Sequence, residues 1–442
     1  MSVVEPVLPP PANPADDGPA GVSAIRKATL RLIPLIGLGY GVAYIDRVNI
    51  SFAALQMNRD LHFSAAVYGF GAGLFFVSYA LCEVPSNLML HRFGARRWLA
   101  RIMLTWGLIA IAMMFVKTPL QFYIMRFLLG LAEAGFFPGV IYYLTLWFPY
   151  GIRARAISRF YIAMPISTVF MGIIAGALLN LQGKLNLAGW QWLFLVEGIP
   201  AILLSIVFLL CIPDGPADAK WLTPEEHAWL ASQLQQEQLP GSHGENIGRA
   251  LADPRVWILS LLFLCNLTCN YAYILTAPAI LQSITTLSPA NIGYLVALMN
   301  LLGAPAMMLN AMHSDRTRER RWHVAVPFLL MCAGFLVSGL SHSPVLVVFG
   351  LATTALCFFG MQGPLWSIPG TFLNGKSAAA GIAAMNMIGM IGGFIGPYGM
   401  GLSKTFAGSY QPGLLLLTIP SLAGALIILF AVRQTHLSTH ST

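Results

Sequence analysis

Charge is what this 442-residue sequence has least of. Asp, Glu, Lys and Arg make up 10% of it, where a water-soluble domain carries about a quarter. Hydrophobic residues reach 57% and mean hydropathy is +0.70, more apolar surface than a water-soluble globule of this size could hide. Lipid must solvate much of the chain.

Other absences narrow the function. There is no His-Glu-x-x-His, no paired Asp motif, and none of the nine histidines sits in the middle of an apolar run. A polytopic membrane enzyme would need such a constellation at membrane depth, so no enzyme, metal or cofactor is expected. The six cysteines lie within or at the edges of apolar runs. Cys265 and Cys269 stand one helical turn apart without a nearby His or acid, which favours small apolar packing over ligation or disulfides. Residues 1–27 are rich in Pro, Ala and Asp and contain no hydrophobic stretch, so they predict a disordered cytoplasmic tail rather than a signal peptide. The net charge of +8 suggests nucleic acid only until its placement is considered. The cations fall in short clusters between apolar runs, with no basic stripe interleaved with aromatics, and this excludes a nucleic-acid partner.

What is present are apolar runs long enough to cross a bilayer, for which about 20 residues are needed. Twelve occur, near 31–57, 66–90, 98–116, 119–147, 155–181, 190–212, 255–282, 290–312, 323–341, 344–369, 377–403 and 412–432. The one long hydrophilic stretch, 213–254, separates six from six. The expected fold is all-α and integral to the membrane, with twelve transmembrane helices in two pseudo-symmetric bundles. The bundles cover 28–212 and 255–433, and a cytoplasmic tail covers 434–442. Arg92, Arg96 and Arg97 follow the second run, Arg153 and Arg155 the fourth, and Arg316, Arg318, Arg320 and Arg321 the eighth. The alternate loops hold single cations, so both termini and the linker are placed in the cytoplasm. Matching basic loops after the second run of each half suggest duplication, with the substrate site near the midplane between halves.

These residues resemble the Major Facilitator Superfamily, whose loop after helix 2 reads Gly-x-x-x-Asp-Arg-x-Gly-Arg-Arg/Lys. This sequence keeps Arg92, Gly94, Arg96 and Arg97 but has Asn87 and His91 at the Gly and Asp positions; the second copy keeps Asp315 and Arg316. Tyr44-Ile-Asp-Arg-Val-Asn-Ile50, Glu83-Val-Pro-Ser-Asn87, the stretch from Arg126 to Pro138, and Trp190-Gln-Trp-Leu-Phe-Leu-Val-Glu197 are similar to the anion:cation symporter branch. That branch includes permeases for tartrate, phthalate, hydroxyphenylacetate, nicotinate and sugar acids. The resemblance implies proton-driven uptake of a small organic carboxylate across a bacterial inner membrane, by a transporter acting as a monomer.

The few ionisable groups at membrane depth carry the most information, because each is costly unless it faces a cavity or a partner. They are Asp46, Arg47, Glu83, Arg126, Glu133 and Glu197. Arg126 and Glu133 are seven residues apart and share a helix face. Asp46 and Glu133 are candidates to exchange the proton, with Arg126 modulating them; a static lattice clamping the helices would use the same residues. Arg47 offers a planar fork for a substrate carboxylate, or an internal pair with Asp46 or Glu83. Tyr44 and Tyr79 are candidate hydroxyl donors. Glu83 and Glu197 resemble family positions tied to structure or gating, as do Arg92, Arg96, Asp315 and Arg316 in the basic loops. In the second half Asn266, Asn270, Tyr271, Tyr273, Gln362, Trp366 and Asn386 are polar or aromatic at membrane depth. Of these, Asn270, Gln362, Trp366 and Asn386 are expected at a midplane site, although interhelical bonding would employ the amides equally well. Met164, where sugar-acid carriers have an amide, tilts the substrate toward an aromatic acid or short dicarboxylate. A proton-exchanging exporter of drugs or cations is the alternative; helix 5 lacks the Gly-Pro signature of such exporters.

Overall fold

In the computed structural model, residues 18–236, 252–317, 319–369 and 375–431 are described. Among the described residues, twelve helices are long and apolar enough to span a membrane. They are α1 (Gly18–Asp60), α2 (Ala65–Phe93), α3 (Ala95–Phe115), α4 (Pro119–Thr145), α5 (Arg155–Leu179), α6 (Gly189–Cys211), α7 (Pro254–Ile284), α8 (Pro289–Thr317), α9 (Arg321–Leu340), α10 (Pro344–Ser367), α11 (Gly381–Ala407) and α12 (Gln411–Ala431). The expected tails 1–17 and 434–442, the linker stretch 237–251 and Arg318 lie outside the described residues.

Local chemistry sets where the helices begin. Ser64, Thr118 and Ser288 accept from the backbone N–H three residues on, and Asp253 accepts from Arg255. Proline follows immediately at Pro119, Pro254 and Pro289, where its missing N–H costs nothing. Leu81, Leu210, Phe349 and Phe406 are exposed, as lipid-facing side chains are, while Trp106, Trp147 and Phe136 are fully buried.

Two features depart from the sequence reading. The first helix begins at Gly18, inside the segment expected to be tail. It is held there by a linker helix, Pro224–Gln236, whose buried Glu226 accepts from Ser23 Oγ at 2.6 Å and Lys27 Nζ at 2.9 Å. Burial alone would raise the Glu226 pKa, but the bonds from Lys27, Ser23 and the Thr223 backbone bring it down to about 2. The fourth span, expected as one helix, is two: Pro119–Glu133 and Phe136–Thr145. Gly135 takes φ +87, a left-handed conformation suited to glycine, and Pro138 removes a backbone donor one turn later.

The halves meet along α2 with α11, α5 with α8, and α1 with α7. Small residues make this possible: Gly172 and Gly176 abut the backbone at Gly293 and Ala290, and Gly393 lies under the Phe76 ring. Toward the end that carries Leu55 and Tyr68, the halves are bonded by Tyr68 Oη to Leu275 O at 2.6 Å and by the Ala66 N–H to Thr405 Oγ1 at 3.0 Å. At the opposite, basic end, Asp214 accepts from the Arg96 N–H at 2.9 Å beside Gly94 (φ +85), and the Arg96 side chain reaches Leu209 O. The loop bearing Arg92 and Arg96 is thus fastened to its own half.

Candidate functional site

α1, α2 and α4 bring five of the six membrane-depth charges into one region of the first half. Arg47 and Glu133, both buried, form an ion pair. Arg47 Nη1 also donates to Tyr271 Oη on α7 at 3.4 Å, crossing between the halves. Its guanidinium lies 5.5 Å from the Phe75 ring centre and 5.2 Å from that of Tyr79. Arg126, fully buried, sits 4.9 Å from the same Phe75 ring and donates Nη2 to Ala72 O at 3.4 Å. The two guanidiniums share one aromatic ring, a cation–π arrangement that is stronger away from water.

This arrangement corrects the pairing read from the sequence. The internal partner of Arg47 is Glu133, not Asp46 or Glu83. A heptad offset puts Arg126 and Glu133 on one face, yet Glu133 is claimed by a neighbouring helix, because helix packing rather than spacing along one helix decides which charges meet. Asp46 accepts from Asn49 Nδ2 at 3.2 Å through Oδ1, while its Oδ2 has no hydrogen-bond partner among the described residues. Arg126 Nε and Nη1 likewise lack one.

Glu83 is tied to the other half. Asn386 Nδ2 on α11 donates to both of its carboxylate oxygens at 2.9 Å. The Asn386 donor expected to meet substrate is therefore engaged by an acid, which also gives Glu83 a bond between the halves. Glu197, on α6, is buried, and among the described residues neither of its oxygens has a donor.

A cavity lies between the halves, with about 510 Å³ of unfilled space counted out to its open mouth. Arg47, Tyr44, Tyr79, Asn270, Gln362, Trp366 and Asn386 all line it, as do Met164 and Tyr271. Asp46, Glu133 and Arg126 stand behind the wall rather than in it, and Arg47 is the ionisable link between cavity and cluster. Tyr40, Phe137, Tyr161, Phe263 and Phe358 complete an aromatic lining that sequence reasoning missed. Tyr40 was detectable, one turn before Tyr44 on the same face. Phe263 and Trp366 meet edge to face at 4.5 Å between ring centres. Arg92, Arg96, Asp315 and Arg316 are remote from this cavity; Asp315 pairs with Arg320 in the second basic loop.

Comparison with known proteins fits this geometry. The Major Facilitator Superfamily model matches residues 36–397. The chain is 45% identical over 412 residues to a protein of Agrobacterium vitis named "Putative tartrate transporter", covering 93% of this chain and 92% of that one. It is 41% identical over 405 residues to the "Quinolone resistance transporter" of Acinetobacter baumannii, covering 91% and 93%. Its fold is similar to that of a bacterial homologue of the human lysosomal transporter Spinster, solved in an inward-facing, occupied conformation. That match has a TM-score of 0.73 at 16% identity and covers 90% of this chain and 96% of the other. The resemblance to the anion:cation symporter branch is thus supported by a relative as well as by motifs. With twelve spans, a cavity between two halves and these matches, the chain belongs to the Major Facilitator Superfamily and is a multi-pass membrane transporter, not an enzyme.

Proposed function

We propose that this transporter takes up a small organic carboxylate together with protons, by alternating access of the cavity. The observation that carries the reading is the Arg47–Glu133 ion pair at the cavity wall. A substrate carboxylate and the Glu133 carboxylate compete for one guanidinium. A proton arriving on Glu133 removes its claim and frees the Arg47 fork for substrate, so substrate loading and protonation become linked. Asp46 exchanges protons within the same cluster, and Arg126 sets the local field. Tyr44, Tyr79, Asn270, Gln362 and Trp366 orient the rest of the anion, and Asn386 joins them when its bond to Glu83 yields.

The ring-rich lining favours an aromatic acid over a polyhydroxylated one, and similarity to a tartrate transporter keeps a short dicarboxylate in view. By the placement of Arg92, Arg96, Arg153 and Arg316, the basic end faces the cytoplasm of a bacterial inner membrane, with both termini on that side. The transporter works as a monomer. A second reading, proton-driven export of aromatic compounds, is favoured by the similarity to a quinolone resistance transporter and by the same lining. Proteoliposome uptake of labelled tartrate, phthalate, hydroxyphenylacetate, nicotinate and galactonate, with and without an inward proton gradient, separates the two. Gradient-dependent accumulation of one acid supports symport; gradient-driven extrusion of aromatic compounds supports export.

A further inference from the structure

Glu197 lies in the interior of α6, outside the substrate cavity and apart from the Arg47–Glu133 pair. It is 5% exposed, yet neither carboxylate oxygen receives a hydrogen bond among the described residues. An ionised carboxylate so placed would be an uncompensated buried charge, the most costly state for such a group. Among the described residues no cation pairs with it: Arg47 is committed to Glu133, and the ionisable group beside Glu197 is another acid, Asp46.

Between the two acids stands Asn49. Its Nδ2 donates to Asp46 Oδ1 at 3.2 Å, while its own Oδ1, equally buried, has no donor among the described residues. Glu197 on α6 lies beside this amide on α1, two helices that pack against each other. An acceptor lacking a donor and a carboxyl lacking any partner are both satisfied by one change, a proton on Glu197. The O–H then donates to Asn49 Oδ1, which fixes the amide with its N–H toward Asp46.

We propose that Glu197 is a proton-binding site whose proton is retained through transport, and that through Asn49 this neutral acid orients the hydrogen bond received by Asp46. Glu197 is a positioning residue: it touches neither substrate nor the Arg47–Glu133 pair. The proposal rests on the symport reading for its effect on transport, but not for the protonation itself.

Two measurements separate these parts. Infrared spectra of the purified transporter at neutral pH should show a protonated-carboxyl stretch that Glu197→Gln removes, whether or not the protein is transporting. In proteoliposomes Glu197→Gln, whose amide N–H can donate to Asn49 Oδ1, should keep gradient-dependent uptake and its pH profile. Glu197→Leu should loosen the bond to Asp46 and Asn49→Ala remove it, so both should move the pH at which uptake falls upward, Asn49→Ala at least as far. Should Glu197→Leu fail to fold, the Asn49→Ala profile compared with Glu197→Gln carries the test. Identical infrared spectra for wild type and Glu197→Gln would overturn the protonation. Loss of gradient dependence in Glu197→Gln with substrate exchange intact would overturn retention, since the proton would then be one that moves. If wild-type uptake ignores the gradient while the infrared band behaves as expected, the symport reading fails and the proton site stands.

Discussion

Arg47 on α1 and Glu133 on α4, 86 residues apart in the chain, form one buried ion pair at the wall of the cavity. Because each is the other's compensation, removing one leaves an unpaired charge. Arg47→Ala is expected to destabilise the folded transporter by about 3–5 kcal/mol. Adding Glu133→Gln should recover most of that loss while leaving transport abolished. Thermal unfolding in detergent of the two single variants and the double variant measures the coupling. Additive losses would show that the pair is not a unit.

Arg47→Lys keeps the charge but removes the planar fork. Substrate affinity should fall about tenfold or more, with folding retained, because a lysine ammonium cannot make two parallel bonds to a carboxylate. Binding to the purified protein provides the check.

Asn386→Leu leaves both oxygens of the buried Glu83 without the donor they share. The expected cost is about 1–3 kcal/mol of stability. Glu83→Gln in the Asn386→Leu background should recover part of it, because an amide is cheaper to leave unbonded than a charge. Unfolding midpoints of the three variants report this directly.

The contact between the start of α1 and the linker helix should respond to acid. Glu226 is held at about 2, below its ordinary 4.5, so its contribution to the folded state is complete above pH 4.5 and is lost as pH falls toward 2. Trp229 lies against Gly21 in the same contact, and its fluorescence should change over that window. Glu226→Gln should show no such acid transition.

Much of the architecture was legible from length alone, since lipid demands long apolar runs and the spans fall close to those read from sequence. The membrane-depth charges were equally visible, because the other charged residues of α1 and α2 lie toward the helix ends. Their partners were not. Arg47 could have met Asp46 or Glu83 on spacing, and only the packing of α1 against α4 selects Glu133. The break at Gly135 was hidden by a continuous apolar run, for which hydropathy registers length but not backbone conformation. The linker helix left a sign that went unused: Thr223 and Glu226 form a reciprocal capping box, with the Glu226 N–H donating to Thr223 Oγ1 and the Thr223 N–H to Glu226 Oε2. Tyr161 escaped because an aromatic in a membrane helix looks the same whether it faces a cavity or a neighbour.

The central claim, that Glu133 links protons to substrate through Arg47, is tested most directly by Glu133→Gln in proteoliposomes. Two assays are compared, accumulation driven by an inward proton gradient and exchange of labelled for unlabelled substrate without a gradient. With the competing charge gone, Arg47 remains free for substrate, so exchange should persist while gradient-driven accumulation is lost. Accumulation that still follows the gradient in Glu133→Gln would contradict the account.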